Sequence, residues 1–424
     1  MKAGIKNWQF RVFILCWAAY ASAYLCRTNL SIALPRMLDE FNWNKTSAGL
    51  IGSAFFWAYA IGQLVNGYIG DKIQTRKFIF FGLSMAAIAN IGVGFSRNLL
   101  TVIILWTLNG FLLSTLWGPI VKSISVWFSH TQRNRVAMGM SMSMVGGYLL
   151  SWGLVGAIVA FTSWSWAFWI PGIITLSFSL IWVVKMKNHP QEVGLESPAA
   201  AEVKITGHAA GKGGSFSLLQ IIRESRLYLI AIACVAQGVI KDGITLWTPS
   251  FLQDVFHLNQ GKTAVFSVII PLVSILGILV AGWLHKVFKE KEKVPIMLLL
   301  AVTAVFCILM YNFSGIYLYA DILLLSLSSA LMYGANTLLL TIIPLNFSHY
   351  NKVSGIAGFL DFCSYMGAAL SGFLTGFIVD HLGWKYMMAL WAVLAVFGIG
   401  SILMMYMRKR GRLDKTFSPD VDAG

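Results

Sequence analysis

Arg27 and Lys241 each place a cation inside a stretch otherwise apolar enough to cross a bilayer. Each stands eight residues before a proline, in Arg27-Thr-Asn-Leu-Ser-Ile-Ala-Leu-Pro35 and in Lys241-Asp-Gly-Ile-Thr-Leu-Trp-Thr-Pro249. A charge near the bilayer centre costs roughly 2.5–3.5 kcal/mol on insertion scales. Two such charges in matching places, one in each half of the chain, imply a duplicated protein with a paired cationic site for an anion. Arginine brings a planar fork that meets phosphate or carboxylate oxygens two at a time, and lysine brings a flexible point charge. Asp242 follows Lys241 directly, but adjacent helical residues do not face each other, so no pairing between them is expected.

The other polar groups at membrane depth are few. Asp361, in Gly358-Phe-Leu-Asp361-Phe, is the one acidic residue deep in a late apolar stretch. A buried carboxylate needs a partner or a proton, so Asp361 is expected to pair with Lys241 or to carry a coupling proton. Tyr20 and Tyr24 precede Arg27 by seven and three residues, which puts all three on one helix face. Tyr59, Tyr333 and Tyr365 hold similar places in other stretches, and a tyrosine hydroxyl can donate to an anion. Lys122 lies near the end of its stretch, where its long stem can snorkel. The loop Gly67-Tyr-Ile-Gly-Asp71-Lys72-Ile-Gln-Thr-Arg76-Lys77 sets Asp71 where it can attract a helix N-terminus, a contact expected in one transport state only.

These residues must be held by membrane helices. Of 424 residues, 57% are hydrophobic and 12% charged, a balance that spanning helices explain and a soluble fold of this size does not. Twelve apolar spans are expected, roughly 10–35, 47–69, 78–95, 99–128, 136–161, 164–184, 227–251, 262–287, 294–313, 316–345, 352–379 and 384–407. The first is too long for a signal-peptide core and reads as a retained helix. The polar stretch 185–226, with His189-Pro190, Ser197-Pro198 and Gly211-Lys-Gly-Gly-Ser215, reads as a linker that divides the spans six and six. The expected domains are thus 1–184, a six-helix bundle; 185–226, the linker; 227–407, a second six-helix bundle; and 408–424, a basic tail.

Internal repetition supports the division. Phe128-Ser129-His130 recurs as Phe347-Ser348-His349, and at the same offset Gly139 matches Gly358 and Gly153 matches Gly372. Parallel repeats of this kind place a substrate site near the membrane midplane. The net charge of +15 does not point to nucleic acid, because the cations cluster in alternate loops: Lys72, Arg76 and Lys77; Arg133 and Arg135; Lys185 and Lys187; Lys286 to Lys293; Arg408 to Arg412. That positive-inside pattern puts both termini in the cytoplasm of a multi-pass protein of the cell membrane. The five cysteines all fall within spans at no metal-ligand spacing, and no Walker loop, HExxH or nucleophile elbow is present. No cofactor, no metal and no enzymatic activity are expected.

The Gly67–Lys77 loop resembles the signature between helices two and three of the major facilitator superfamily, with Gln74 where glycine is usual. More closely, the chain resembles the organophosphate:phosphate antiporter family of glycerol-3-phosphate and hexose-phosphate transporters. The resemblance runs over nearly all spans. It is carried by Tyr20-x-x-x-Tyr24-x-x-Arg27-x-Asn29, Trp117-Gly-Pro119-x-x-Lys122-x-x-x-x-Trp127, Lys241-x-Gly243-x-x-x-Trp247-x-Pro249, and Gly358-Phe359 with Tyr365. It implies an all-α membrane protein of twelve transmembrane helices in two pseudo-symmetric six-helix bundles. It also implies that Arg27 and Lys241 bind a phosphoryl group, that Tyr20, Tyr24, Tyr59, Tyr333 and Tyr365 line the cavity, and that Gly67, Asp71 and Arg76 serve gating.

Three positions depart from the glycerol-3-phosphate members. Lys241 replaces the usual arginine, Gln63 a lysine of helix two and Ser143 a histidine of helix five. Gln63 is retained as a substrate-binding candidate, and Asp361 resembles an aspartate of the sugar-phosphate relatives.

The expected function is secondary active transport of a phosphorylated metabolite (sugar phosphate, glycerol phosphate or phosphoglycerate) exchanged for inorganic phosphate. The expected partners are the anion, phosphate and the lipid bilayer, with the chain acting as a monomer. One alternative is a proton-coupled symporter of sugar acids; those proteins carry an aspartate just before the matching arginine, where this chain has Cys26. The other is a transporter-like membrane sensor of a sugar phosphate.

Overall fold

A computed structural model describes residues 2–43, 45–196, 198, 217–258, 260–289 and 291–407, and these are helical almost throughout. Residues 199–216 of the expected linker and the whole expected tail 408–424 lie outside the described residues. Helices are the required answer to this sequence, since lipid offers no hydrogen bonds and each backbone group must be satisfied within its own segment. Among the described residues, eleven segments are long and apolar enough to cross a membrane. The twelfth long helix, Lys45–Lys72, corresponds to the expected span 47–69. Its Gln63 and Asn66 are buried, facing protein rather than lipid.

The described residues within Met1–Gly211 and Pro344–Phe362 form one compact unit, and those within Lys212–Ile343 and Cys363–Gly424 form another. The first unit contains α1 (Lys2–Phe41), α2 (Lys45–Lys72), α3 (Thr75–Phe95), α4 (Leu99–Leu113), α5 (Trp117–Trp127), α6 (His130–Phe161) and α7 (Trp166–Lys185). A short break at residues 114–116 separates α4 from α5, which together make one span. The second unit contains a short α8 (Leu218–Glu224), then α9 (Leu227–Phe256), α10 (Gln260–Val287), α11 (Lys293–Phe313) and α12 (Leu318–Thr337). It also holds most of α13 (Val353–Leu382), and α14 (Trp384–Met407). The first turns of α13 belong to the first unit.

Interhelical polar bonds hold the first unit in register. Asn29 of α1 donates to Asn90 Oδ1 of α3 at 3.0 Å and to the Ala167 carbonyl of α7 at 2.9 Å. Asn90 in turn donates to the Phe168 carbonyl at 2.7 Å. Asn109 of α4 donates to the Cys26 carbonyl at 2.7 Å, which fixes the α1 backbone at the residue before Arg27. Inside a membrane such bonds position helices more than they stabilise them, at about 0.6 kcal/mol each.

In the second unit, small residues set the spacing. A Cβ added to Gly238 would lie 2.0 Å from the Ser364 carbonyl oxygen, and one on Gly367 would lie 2.2 Å from that of Val235. Only glycine lets α9 and α13 approach this closely, and the approach carries Tyr365 to the Lys241 region of α9.

Candidate functional site

In the first unit, aromatic rings surround Arg27. Its guanidinium carbon lies 4.6 Å from the ring centre of Tyr59, 5.2 Å from Tyr24, 5.8 Å from Phe55 and 5.9 Å from Phe56. Rings at this range stabilise a cation through their negative faces. The α1 face read from the sequence is present: the Tyr20 and Tyr24 rings are 5.5 Å apart, with Arg27 beside Tyr24. Tyr20 also lies 4.8 Å from the Trp117 ring, and Tyr24 lies 4.9 Å from Tyr148. Around Tyr59 the structure gathers Arg27, Tyr20, Gln63 and Asp361. Tyr59, Gln63 and Asp361 are all buried.

In the second unit, the Lys241 ammonium lies 5.3 Å from the Tyr333 ring and 5.9 Å from the Tyr365 ring. It also lies 3.3 Å from Asp242 Oδ1. This corrects the expectation that adjacent residues would not pair: the four-carbon lysine stem curls around the helix surface far enough to reach its neighbour. Lys241 is 4% exposed and Gln237, one turn earlier, is wholly buried. Gln237 joins α9 to its neighbours, donating to Asn336 Oδ1 at 3.3 Å and accepting from Ser364 Oγ at 3.1 Å. Just beyond Asn336, Leu338–Ile342 forms a π-helical turn, a distortion that often marks functional sites.

The α2–α3 corner is the third element. Asp71 accepts from the backbone N–H of Ser354 at 2.9 Å and of Gly355 at 2.8 Å, at the N-terminus of α13. There its charge meets the positive end of the helix dipole and two orphan donors. Gly67 faces Gly358, where an added Cβ would lie 2.8 Å from the Gly358 Cα. The Arg76 N–H donates to Asn188 Oδ1 at 2.9 Å, and the Arg76 carbonyl accepts from Trp182 Nε1 at 3.0 Å. Lys122 does not simply snorkel: its ammonium donates to the carbonyls of Gly70, Asp71 and Ile73 at 2.8, 2.9 and 3.2 Å, which clasps the loop carrying Asp71.

Asp71 lies beyond the 47–69 span, and burial raises its carboxyl to about 6 against the opposing pull of the Gly355 and Ser354 N–H groups, Lys122 and Lys352. A carboxyl whose value in the contact exceeds its solvent value of about 3.9 binds its proton more tightly in the contact. The contact is therefore most stable below about pH 4 and weakens as pH rises through about 6. Amide exchange at Ser354 and Gly355, corrected for intrinsic rate, should be about tenfold slower at pH 5 than at pH 7. Asp71→Asn should remove the difference. Faster corrected exchange at pH 5 would contradict this sign.

The sequence reading did not single out Phe55, Phe56 or Tyr148. Periodicity orders residues on one helix but does not say which helix faces Arg27. The i, i+4 spacing of Phe55 and Tyr59 was the available signal. Among the described residues, no three His, Cys, Asp or Glu side chains come together as a metal site.

The Major Facilitator Superfamily sequence profile matches residues 16–362. The chain belongs to the Major Facilitator Superfamily. Its fold is similar to that of the transporter FucP, solved in an outward conformation, with a TM-score of 0.67 at 15% identity over 93% of this chain and 98% of that one. This establishes the fold as twelve membrane helices in two six-helix bundles. The chain is 26% identical to the probable hexose phosphate transport protein of Chlamydia pneumoniae, over 91% of this chain and 88% of the relative. It is 27% identical to the phosphoglycerate transporter protein of Salmonella typhimurium, over 91% and 86%. It is 25% identical to the glycerol-3-phosphate transporter of Bacillus subtilis, over 91% and 89%. All three relatives are named for transport of a phosphorylated metabolite, and the superfamily is one of multi-pass membrane proteins.

Proposed function

We propose that this protein is a secondary active transporter of a phosphorylated small metabolite, exchanged for inorganic phosphate by alternating access. The observation that carries the reading is Arg27, a guanidinium at membrane depth ringed by Tyr24, Phe55, Phe56 and Tyr59. Relatives named for hexose phosphate, phosphoglycerate and glycerol-3-phosphate share one chemical element, the phosphoryl group. A fork of donors aimed at that group serves them all, while Gln63 and the tyrosines are suited to read the organic part. In this reading Arg27 and Lys241 both bind the anion. Because the loaded carrier gains both attractions and the empty one gains neither, substrate drives the switch; that differential affinity is what coupling requires. Asp71 holds one end state through its contact with α13. Both termini are cytoplasmic, and the working unit is the monomer.

Counterflow in proteoliposomes tests the substrate class. With phosphate inside, competition should come from sugar phosphates, glycerol phosphates or phosphoglycerates and not from hexuronates. Competition by sugar acids alone would favour the symporter reading. That reading has little support at the residue before Arg27, since the buried Cys26 thiol donates to Thr175 Oγ1 at 3.3 Å. Asp361, beside Tyr59, is the remaining candidate for a coupling proton. If it carries one, Asp361→Asn should abolish accumulation driven by a pH gradient and retain exchange. An unchanged pH dependence would remove that role.

One observation favours a second reading. The chain is also 22% identical to the membrane sensor protein UhpC of Salmonella typhimurium, over 95% of this chain and 92% of the relative. A sensor would bind an organophosphate without moving it, so binding in detergent combined with silent exchange would favour this reading.

A further inference from the structure

At the α2–α3 corner of the first unit lies a cavity of about 170 Å³, bordered by Lys72, Thr75, Lys122, Ser123, Asn188 and His189. We propose that it is a second anion site, built for a phosphate-class group and separate from the Arg27 and Lys241 clusters. The inference holds whatever solute the protein carries.

Four observations converge. First, the cavity lining includes two lysines and no carboxylate. Of the acids around it, Asp71 holds the Ser354 and Gly355 N–H groups, and Glu192 accepts from the Asn188 N–H at 3.1 Å. Lys122 commits its three N–H donors to the carbonyls of Gly70, Asp71 and Ile73, so it lends the cavity positive charge but no donor, whereas Lys72, bonded to the Tyr68 hydroxyl at 2.7 Å, can still turn N–H groups to a ligand. Second, Thr75 opens the 21-residue helix α3, and its N-cap Gln74 makes no side-chain capping bond. The cavity borders the positive end of that helix, where the Arg76 N–H donates to Asn188 Oδ1 and the Lys77 N–H to the Gln74 carbonyl, so α3 contributes its dipole more than open N–H groups. Third, Ser123 is 2% exposed and its Oγ has no hydrogen-bond partner. A buried hydroxyl on a cavity wall is a donor placed for a ligand, because leaving it unmade is costly. Fourth, the volume suits the group: at roughly 30 Å³ per water it equals about five or six waters, enough for a tetrahedral oxyanion.

The donors arrive from the end of α2, the start of α3, α5 and the segment after α7. That three-dimensional spread matches tetrahedral oxygens better than the two coplanar oxygens of a carboxylate. The group could come from free phosphate or from an anionic lipid headgroup.

The test uses the full chain in phospholipid-free detergent, carrying Arg27→Ala and Lys241→Ala so that the candidate transport site is silent. Inorganic phosphate is titrated at fixed ionic strength, which removes general screening, and the unfolding temperature is followed by tryptophan fluorescence. We expect a saturable rise that chloride does not give, its affinity falling at least about tenfold when Lys72→Ala and Ser123→Val are added. A parallel arm compares nanodiscs containing phosphatidic acid with phosphatidylcholine alone. Stabilisation there but not by free phosphate, removed by the same two substitutions, would identify the headgroup as the source. Absence of saturable stabilisation in both arms, or stabilisation that Lys72→Ala/Ser123→Val leaves intact, would overturn the proposal.

Should the silenced chain not fold, maleimide labelling of His189→Cys replaces the thermal readout. His189 is exposed and the five native cysteines are buried. Phosphate should slow the labelling, and Lys72→Ala/Ser123→Val should abolish the slowing. Labelling indifferent to phosphate would equally overturn the site.

Discussion

Arg27→Lys is expected to reduce exchange by about 100-fold or more while the protein still reaches the membrane. The substitution keeps the charge, so it separates charge from geometry. Lysine is a point charge with no planar fork, and it cannot present two parallel N–H donors to two oxygens of one phosphoryl group. Losing one charge-assisted hydrogen bond costs about 1.5–3 kcal/mol, or roughly 10- to 150-fold. Its more strongly hydrated ammonium also suits the aromatic ring of Tyr24, Phe55, Phe56 and Tyr59 less well than the delocalised guanidinium does. Uptake kinetics in proteoliposomes with matched protein content measure the loss. Near-normal exchange by Arg27→Lys would remove Arg27 from the phosphoryl site and leave it as a structural cation.

The second large effect concerns Lys241, whose pairing with Asp242 at 3.3 Å raises a specific ambiguity. Lys241→Gln alone should abolish exchange, but that result would also follow if the lysine merely satisfied Asp242. Lys241 is buried and Asp242 half-buried, so removing the lysine leaves a partly desolvated carboxylate without its partner, and that damage is structural. The double variant Lys241→Gln/Asp242→Asn removes both charges together and relieves that cost. If Lys241 meets the anion, the double variant should recover thermal stability and still fail to transport, by about 100-fold. Asp242→Asn alone should retain roughly a third or more of the activity, since the ammonium then loses only a competitor for the substrate. Recovery of exchange in the double variant would assign Lys241 to structure. The cycle reads out coupling only because each substitution is near-isosteric and introduces no new partner.

Much of this was legible in the sequence, for identifiable reasons. Spans of the required length and apolarity have one solution in lipid, so the twelve helices followed from composition and hydropathy. Tyr20, Tyr24 and Arg27 lie on one helix, and a 3.6-residue period fixes their shared face. Asp71 was legible as a helix-attracting carboxylate, although the sequence did not name Ser354 and Gly355 as its donors. Contacts between helices distant in sequence were out of reach. Phe55 and Phe56 reach Arg27 because of how α1 and α2 pack, which no periodicity encodes. The Lys241–Asp242 contact escaped for a different cause: helix geometry fixes where a Cβ points, but a long side chain has rotamers that undo the inference. Lys122 escaped similarly, since snorkelling and loop clasping begin from the same sequence position.

Phosphate self-exchange tests the central claim most directly. Labelled phosphate is offered to proteoliposomes loaded with unlabelled phosphate, with no pH gradient and no membrane potential, beside identical vesicles carrying Arg27→Lys. The account predicts saturable exchange by the native chain and loss of about 100-fold or more in the variant. Native vesicles that exchange no phosphate, or variant vesicles that exchange it equally well, would contradict it.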